Sequence, residues 1–446
     1  MINTIILIYF LIVLGIGFYS RFQIKTPTDY YIAGKNGGLF QVSGSLLATI
    51  LGGSAILGTL ELSQQNGWAA IWFLLCASIG LFILAPISKY VSRYGQFTLP
   101  GLLGSFFGKK AQLISSGIIT IAWVGIIAAQ IIGSAKILKS IGLLGYHEAA
   151  ILSGVVFIIY TLVGGQKSIL KTDLFQSALI LIGIIFLFFT IRGEQIPTQV
   201  NQLNHKGLFH QDFTFFDLVI LFLTYSTTFI VGPDIYSRIF CAKSEKTASR
   251  SVLFTAALLI PFAYIITSIG ISSQSVETGS TGLGIILMGN MYLPNWAMGL
   301  LIAALLSAVM SSADTTLLTA SIIGSNMIYR DLNTQKAFYS TKLIIILLGM
   351  TSIIIALFVT SIIQMLLLAL SFFSGAFIVP TIAGLFKLKI RTGNIVLAMI
   401  CGGVVALVGK LTTIYSDNLI GNIIIIMAYI VNGLIIFFPT RINKAP

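Results

Sequence analysis

The chain has 446 residues, 57% of them hydrophobic and only 9% charged, with a formal net charge of +13. A water-soluble protein carries about 25% charged residues, so this composition excludes a soluble globular fold and points to lipid as the solvent. Apolar runs of roughly 20 residues recur along the chain and match a hydrocarbon core about 30 Å thick.

The first run, 3–20, has no basic flank and no small-residue cleavage site, so it reads as a first span and not as a cleaved signal. Twelve more follow, near 38–60, 67–88, 113–135, 148–164, 173–192, 216–239, 252–273, 297–327, 341–359, 361–386, 393–412 and 418–439. The expected fold class is therefore an all-α integral membrane protein of about thirteen transmembrane helices. The longest gaps, 192–215 and 274–296, have room only for short helices. With the N-terminus outside, every one of the 26 Lys and Arg except Lys136, Lys139, Arg192, Lys206 and Lys410 falls on the inner side. Basic residues favour cytoplasmic loops, so the basicity is a topology signal and implies no nucleic-acid partner. Cys76, Cys241 and Cys401 are scattered thiols, and His147, His205 and His210 share no helix face. Neither set has the spacing of a disulfide framework or a metal site.

Within the spans, five stretches carry chemistry. Gly44 to Ser54 includes the Gly52-Gly53 pair, which weakens a mid-membrane helix and frees carbonyls able to bind a cation. Close packing through small residues is the plain alternative. Gln130 is a buried amide that either faces a substrate or packs helices. Gly164-Gly165 leads to Asp173, which reads as a helix N-cap or as a functional carboxylate. Asp234, after Gly232-Pro233, reads as a solvated or capping residue at a span end. Just before it, Thr224 to Thr228 bunches four Ser and Thr hydroxyls and suggests a broken helix. Breaks in two spans five apart in order are the mark of an inverted-repeat transporter. Finally, Ala308, Ser311, Ser312, Thr315 and Thr319 form one polar helical stripe. Membrane hydroxyls often bond only to their own helix, but Asp314 beside them is a costly carboxylate within a span, of the kind that marks function.

The chain resembles the sodium:solute symporter family. The resemblance covers nearly its whole length. It rests on Asp29 to Gly34 (DYYIAG), Gly164-Gly165 to Thr172-Asp173, Gly232 to Arg238 (GPDIYSR), and Ala308 to Asp314 continuing to Asp331. It implies the fold of the bacterial leucine transporter, a 5+5 inverted-repeat core. Residues 1–37 would be an extra N-terminal helix and loop, 38–390 the ten-helix core, and 391–446 two C-terminal helices. It implies a sodium site made by the carbonyls of Ala48, Leu51 and Ala308 and the hydroxyls of Ser311 and Ser312. In members with a second ion, its positions fall here on Ser311, Asp314, Thr315 and Asp173. The aromatic positions that cage choline fall on Ile50 and Gly232, the Asp of proline relatives on Ile50, and the sugar-binding pair on Ser54 and Ala55. None of these three solutes is therefore implied. No Lys or Arg is expected mid-membrane, and the pocket candidates are Ser54, Gln130, Tyr225 and Thr228.

The expected function is sodium-coupled import of a small organic solute by a monomer in the cell inner membrane, with the C-terminus cytoplasmic. A proton-coupled or uncoupled carrier is the nearest rival, with Asp314 in its favour. A transport-like sensor would need a partner protein. An enzyme would need a His, Cys or paired-carboxylate site, and no spacing serves one.

Overall fold

The computed structural model describes residues 2–24, 26–94, 98–142, 144–193, 206–273, 284–329 and 331–437. Among them helices dominate and no strand forms; two isolated bridges join Gly37 to Ala242 and His210 to Phe213. Eleven helical stretches are long and apolar enough to cross a membrane. Two of these hold more than one crossing. The 48-residue helix Tyr146–Gly193 would be about 72 Å long if straight, over twice the hydrocarbon thickness. It bends at Gly165, whose φ of 57° and ψ of −176° suit only glycine. A Cβ there would also stand 2.4 Å from the Tyr30 ring. The stretch Gly53–Arg93 joins the second half of one crossing to the next.

Thirteen crossings result among the described residues. They are α1 (Ile2–Arg21), α2 (Leu39–Ile50 and Gly53–Asn66), α3 (Ile71–Tyr94), α4 (Lys109–Ser140), α5 (146–164), α6 (166–193), α7 (Phe215–Cys241), α8 (Glu245–Ser273), α9 (Asn295–Ile328), α10 (Gln335–Phe358), α11 (Ile362–Leu385), α12 (Thr392–Tyr415) and α13 (Asn418–Phe437). The expected order holds throughout, with several spans extended at their ends. A short helix, Gly284–Tyr292, occupies part of one long gap, while 194–205 and 274–283 lie outside the described residues.

Two crossings are interrupted, and they stand five apart in order. α2 stops at Ile50 and restarts at Gly53, and α7 breaks at Gly232, whose backbone is extended (φ −71°, ψ 134°) before Pro233 restarts the helix. The hydroxyl-rich 224–228 is not itself the break that the sequence suggests. It continues as a π-helical turn over Phe222–Ser226 and an α-helical turn over Thr227–Val231. There Thr224, Thr227 and Thr228 hydroxyls bond to carbonyls of their own helix, and Gly232-Pro233 makes the interruption one turn later. The most enclosed helices are α9 and α4. α9 packs against α4, α5–α6, α1 and α2, so the interior of the bundle is built around it.

The DYYIAG segment fastens one junction. Tyr30 and Tyr31 are buried, Tyr30 donates to the Thr161 carbonyl at 3.3 Å, and Asp29 pairs with Lys167 at 3.2 Å. This motif therefore holds the α5–α6 bend.

Candidate functional site

The last carbonyls of any helix lack intrahelical donors. At the α2 break those of Ala48 and Thr49 are met by α9: Ser311 Oγ donates to Ala48 O at 2.9 Å, and Ser312 Oγ to Thr49 O at 2.9 Å. Ser311 Oγ also lies 3.3 Å from Ala308 O. Four of the five sequence-predicted sodium ligands are thus gathered where α2 meets α9, all fully or almost fully buried. Leu51, the fifth, is the residue at which the first half of α2 ends; its N–H bonds to Leu47 O at 2.8 Å. The two helices approach this closely because Gly52 and Gly53 present no side chain. A Cβ on Gly52 would sit 2.0 Å from Ser312 Oγ, and one on Gly53 2.1 Å from Val309 Cγ2.

A second constellation lies along the same stripe. Asp173 Oδ2 accepts Ser45 Oγ at 2.5 Å and Arg238 Nη2 at 3.0 Å, and the same Nη2 meets Thr315 Oγ1. Asp173, Arg238, Asp314 and Thr315 are all completely buried. Two expectations change here. Asp173 is no N-cap, since the helix restarts at 166 and places it two turns inside α6. Arg238, counted among inner loop charges, is buried within the bundle and supplies the cation that Asp173 needs. The residues suggested for a second ion are therefore brought together, with a guanidinium among them. Asp173 Oδ1 and Asp314 Oδ2 have no hydrogen-bond partner among the described residues.

The four pocket candidates also converge. Ser54, Gln130, Tyr225 and Thr228 line one cavity of about 80 Å³ between the α2 and α7 breaks, α4, α9 and α11. Gln130 and Ser54 form a two-bond clasp: Gln130 Nε2 donates to Ser54 Oγ at 2.7 Å, and Ser54 N donates to Gln130 Oε1 at 3.3 Å. Tyr225 stacks on Phe73, ring centres 4.0 Å apart, and meets Phe229 edge-on. Ile50 and Gly232, the positions that offer no choline cage, are on the wall as well.

Two cavity residues escaped the sequence reading. Trp123 stands seven positions before Gln130, two turns along the same face of α4, and that spacing could have found it. Asp234, expected at a solvated span end, instead faces the cavity, where the Trp123 indole N–H donates to its two oxygens at 2.9 and 2.8 Å. Ser312 belongs both to the cavity wall and to the α2–α9 junction.

A sequence model of the sodium:solute symporter family matches residues 30–402, most of the chain and every site residue just described. The chain belongs to the sodium:solute symporter family. The sodium/proline symporter of Staphylococcus aureus strain JH9 is 22% identical over 482 residues, covering 99% of this chain and 92% of that protein. A Na+-coupled sialic acid symporter in a substrate-bound outward-open state superposes with a TM-score of 0.75 at 19% identity, covering 97% of this chain and 98% of that one. Mhp1, a nucleobase-cation-symport-1 family transporter, superposes at 0.62 with 13% identity over 91% and 94% of the two chains. At such identities the superpositions speak for the fold. This symporter is thus a multi-pass membrane protein whose work is sodium-coupled solute import and not enzymatic catalysis.

Proposed function

We propose that sodium binds where α2 meets α9, held by the carbonyls of Ala48, Leu51 and Ala308 and the hydroxyls of Ser311 and Ser312, and that the solute binds in the adjoining cavity. The observation that carries this reading is the pair of helix-end carbonyls, Ala48 and Thr49, met by Ser311 and Ser312. A small alkali cation takes hard oxygens of this type. When it enters, each serine hydroxyl turns its proton away and presents a lone pair, so the ion replaces the hydrogen bonds that now join the two helices. Ser54, Gln130, Tyr225 and Thr228 then face the solute.

Ser312 supplies the coupling. It touches the ion through one helix and the solute cavity through its own, so occupation of either site biases the same α2–α9 contact. Binding energies linked in this way are reciprocal. Supporting this reading further, the two broken crossings α2 and α7 flank the cavity on opposite sides, as discontinuous helices do in alternating-access carriers. The ten crossings α2 to α11 form the transport core, α1 precedes it and α12–α13 follow. The chain works as a monomer in the inner membrane, with its N-terminus outside and its C-terminus in the cytoplasm.

A second reading, proton coupling through Asp314, draws on its buried carboxyl with Oδ2 unpartnered among the described residues. One experiment separates the two. The melting temperature of the purified protein is compared in NaCl and in equal KCl. A ligand specific to the folded state stabilises it by about 2.7 kcal/mol at a hundredfold excess over its dissociation constant. A sodium-specific rise that disappears in Ser312→Ala supports the assignment. Equal melting in both salts, with a rise on acidification that Asp314→Asn removes, transfers the coupling ion to the proton.

A further inference from the structure

The two oxygens of Asp234 face a cavity in which every other recorded polar group is neutral. The Trp123 indole donates to them and the Thr319 hydroxyl of α9 lies beside them, which leaves open part of the roughly four lone-pair sites that the two oxygens offer. Among the described residues no ion pair joins it. Arg238, one turn further along α7, directs its guanidinium at Asp173 and Thr315. Arg238 acts on Asp234 from a distance but makes its contact pair with Asp173. A buried carboxylate without a cation in contact is costly, so one beside a solute cavity points to a ligand that brings the charge.

Helix capping does not account for it. The second half of α7, Pro233–Cys241, favours an acid in its first turn through its dipole. A capping carboxylate, however, would turn back to that turn's own N–H groups. Asp234 instead reaches across to the Trp123 indole on α4, with the Thr319 hydroxyl of α9 beside it.

The surrounding wall selects among cations. Tyr225, Phe229 and Trp123 present aromatic rings, and Ile235, Leu366 and Leu370 present aliphatic carbon. A bare metal ion needs oxygens on several sides. An alkylammonium needs an acceptor for its N–H donors, aromatic faces for its positive charge, and apolar contact for its carbon skeleton. We propose that Asp234 is the counter-ion for a solute carrying a protonated primary or secondary amine, its N–H groups on the carboxylate and its carbon frame against Tyr225 and Phe229. The Ser54–Gln130 clasp then faces the far end of the solute with hydroxyl and amide groups. The small cavity suits a compact molecule.

This assignment rests on the central cavity being the solute site of a sodium symporter, and the test keeps the two apart. Melting of the purified protein is followed in NaCl with ethanolamine, pyrrolidine, proline, ethylene glycol and glycolate added separately, for the unaltered protein, Asp234→Asn and Asp234→Glu. Stabilisation is expected only from probes with a protonated nitrogen. Their apparent affinity is expected to fall at least about tenfold in Asp234→Asn, the order expected for a lost charge-assisted hydrogen bond, and to be largely kept in Asp234→Glu. The sodium-specific shift, retained in Asp234→Asn, shows that this variant is folded and that the ion site stands apart. Stabilisation by ethylene glycol or glycolate, no stabilisation by any amine, or amine binding unchanged in Asp234→Asn each overturns the proposal while leaving the sodium reading in place. Loss of the sodium shift in Asp234→Asn without any amine present also overturns it, making Asp234 an ion ligand. Absence of a sodium shift in the unaltered protein removes the reading beneath both.

Discussion

At the residue scale, the tightest geometric demand is at Gly52. The missing side chain lets Ser312 Oγ approach the end of the first half of α2, and a methyl group there would be 2.0 Å from that oxygen and 2.9 Å from Ser312 Cβ. Rotating the hydroxyl away relieves only the first contact, so α2 and α9 must separate. Overpacking of this kind costs about 1–3 kcal/mol, and here it falls on the ion ligands themselves. Gly52→Ala is expected to lower the melting temperature and to abolish the difference between NaCl and KCl. Gly433→Ala on α13, where an added Cβ meets nothing within 4 Å, is expected to leave both unchanged. A sodium shift of normal size in Gly52→Ala would show that the ion does not need the close α2–α9 contact. This demand could be read in advance from the glycine pair and the hydroxyl stripe. Asp234 and Trp123 could not be paired in the same way: the spacing to Gln130 marks the face of Trp123, but 111 positions separate it from Asp234 and no local pattern links the two.

At the element scale, Arg238 ties three helices together. It stands on α7, its carboxylate partner Asp173 on α6 and its hydroxyl partner Thr315 on α9. Removing one member of a buried ion pair strands the other and typically costs about 3–5 kcal/mol. Arg238→Met is therefore expected to lower stability strongly, and Arg238→Met with Asp173→Asn to recover most of the loss, as followed by thermal melting. If the oxygens of Asp173, Asp314 and Thr315 can hold an ion, raised NaCl, and not KCl, will restore the single variant. Equal melting of single and double variants would show that the pair contributes little. Hydropathy made the crossings themselves legible and Gly52-Gly53 announced the α2 break, while the α7 break was expected at the hydroxyl cluster and falls one turn later, at Gly232-Pro233. The burial of Arg238 was not legible, because a cation one turn from a span end looks the same in sequence whether it turns towards water or back into the bundle. The continuity of α5 into α6 was hidden for a related reason: a glycine pair between apolar runs looks like a loop.

At the scale of the whole molecule, the proposed orientation can be checked without knowing the solute. In a background lacking Cys76, Cys241 and Cys401, Asp212→Cys lies between α6 and α7 and Lys389→Cys between α11 and α12. A membrane-impermeant thiol reagent is expected to label the first in intact cells and the second only after the membrane is opened. The reverse pattern would invert the assigned topology. The distribution of Lys and Arg carries this expectation, since the helices alone are the same in either orientation.

The buried guanidinium also bears on how much work the carrier can extract from its gradients. An ion that enters from one side and leaves on the other contributes about 2.3 kcal/mol per 100 mV of membrane potential, together with its own concentration ratio, to the uphill movement of the solute. Arg238 neutralises Asp173 just as a bound cation would, yet it is covalently part of α7 and returns with the empty protein. It therefore steadies the fold through the transport cycle but adds nothing to the driving force. If one sodium moves per cycle in place of two, the steepest gradient of a neutral solute is the square root of that reached with two ions at the same electrochemical sodium gradient, while a solute that brings its own positive charge adds the membrane potential once more. A carrier that fixes one of its cations in the chain gives up concentrating power and spends fewer ions on each molecule taken up.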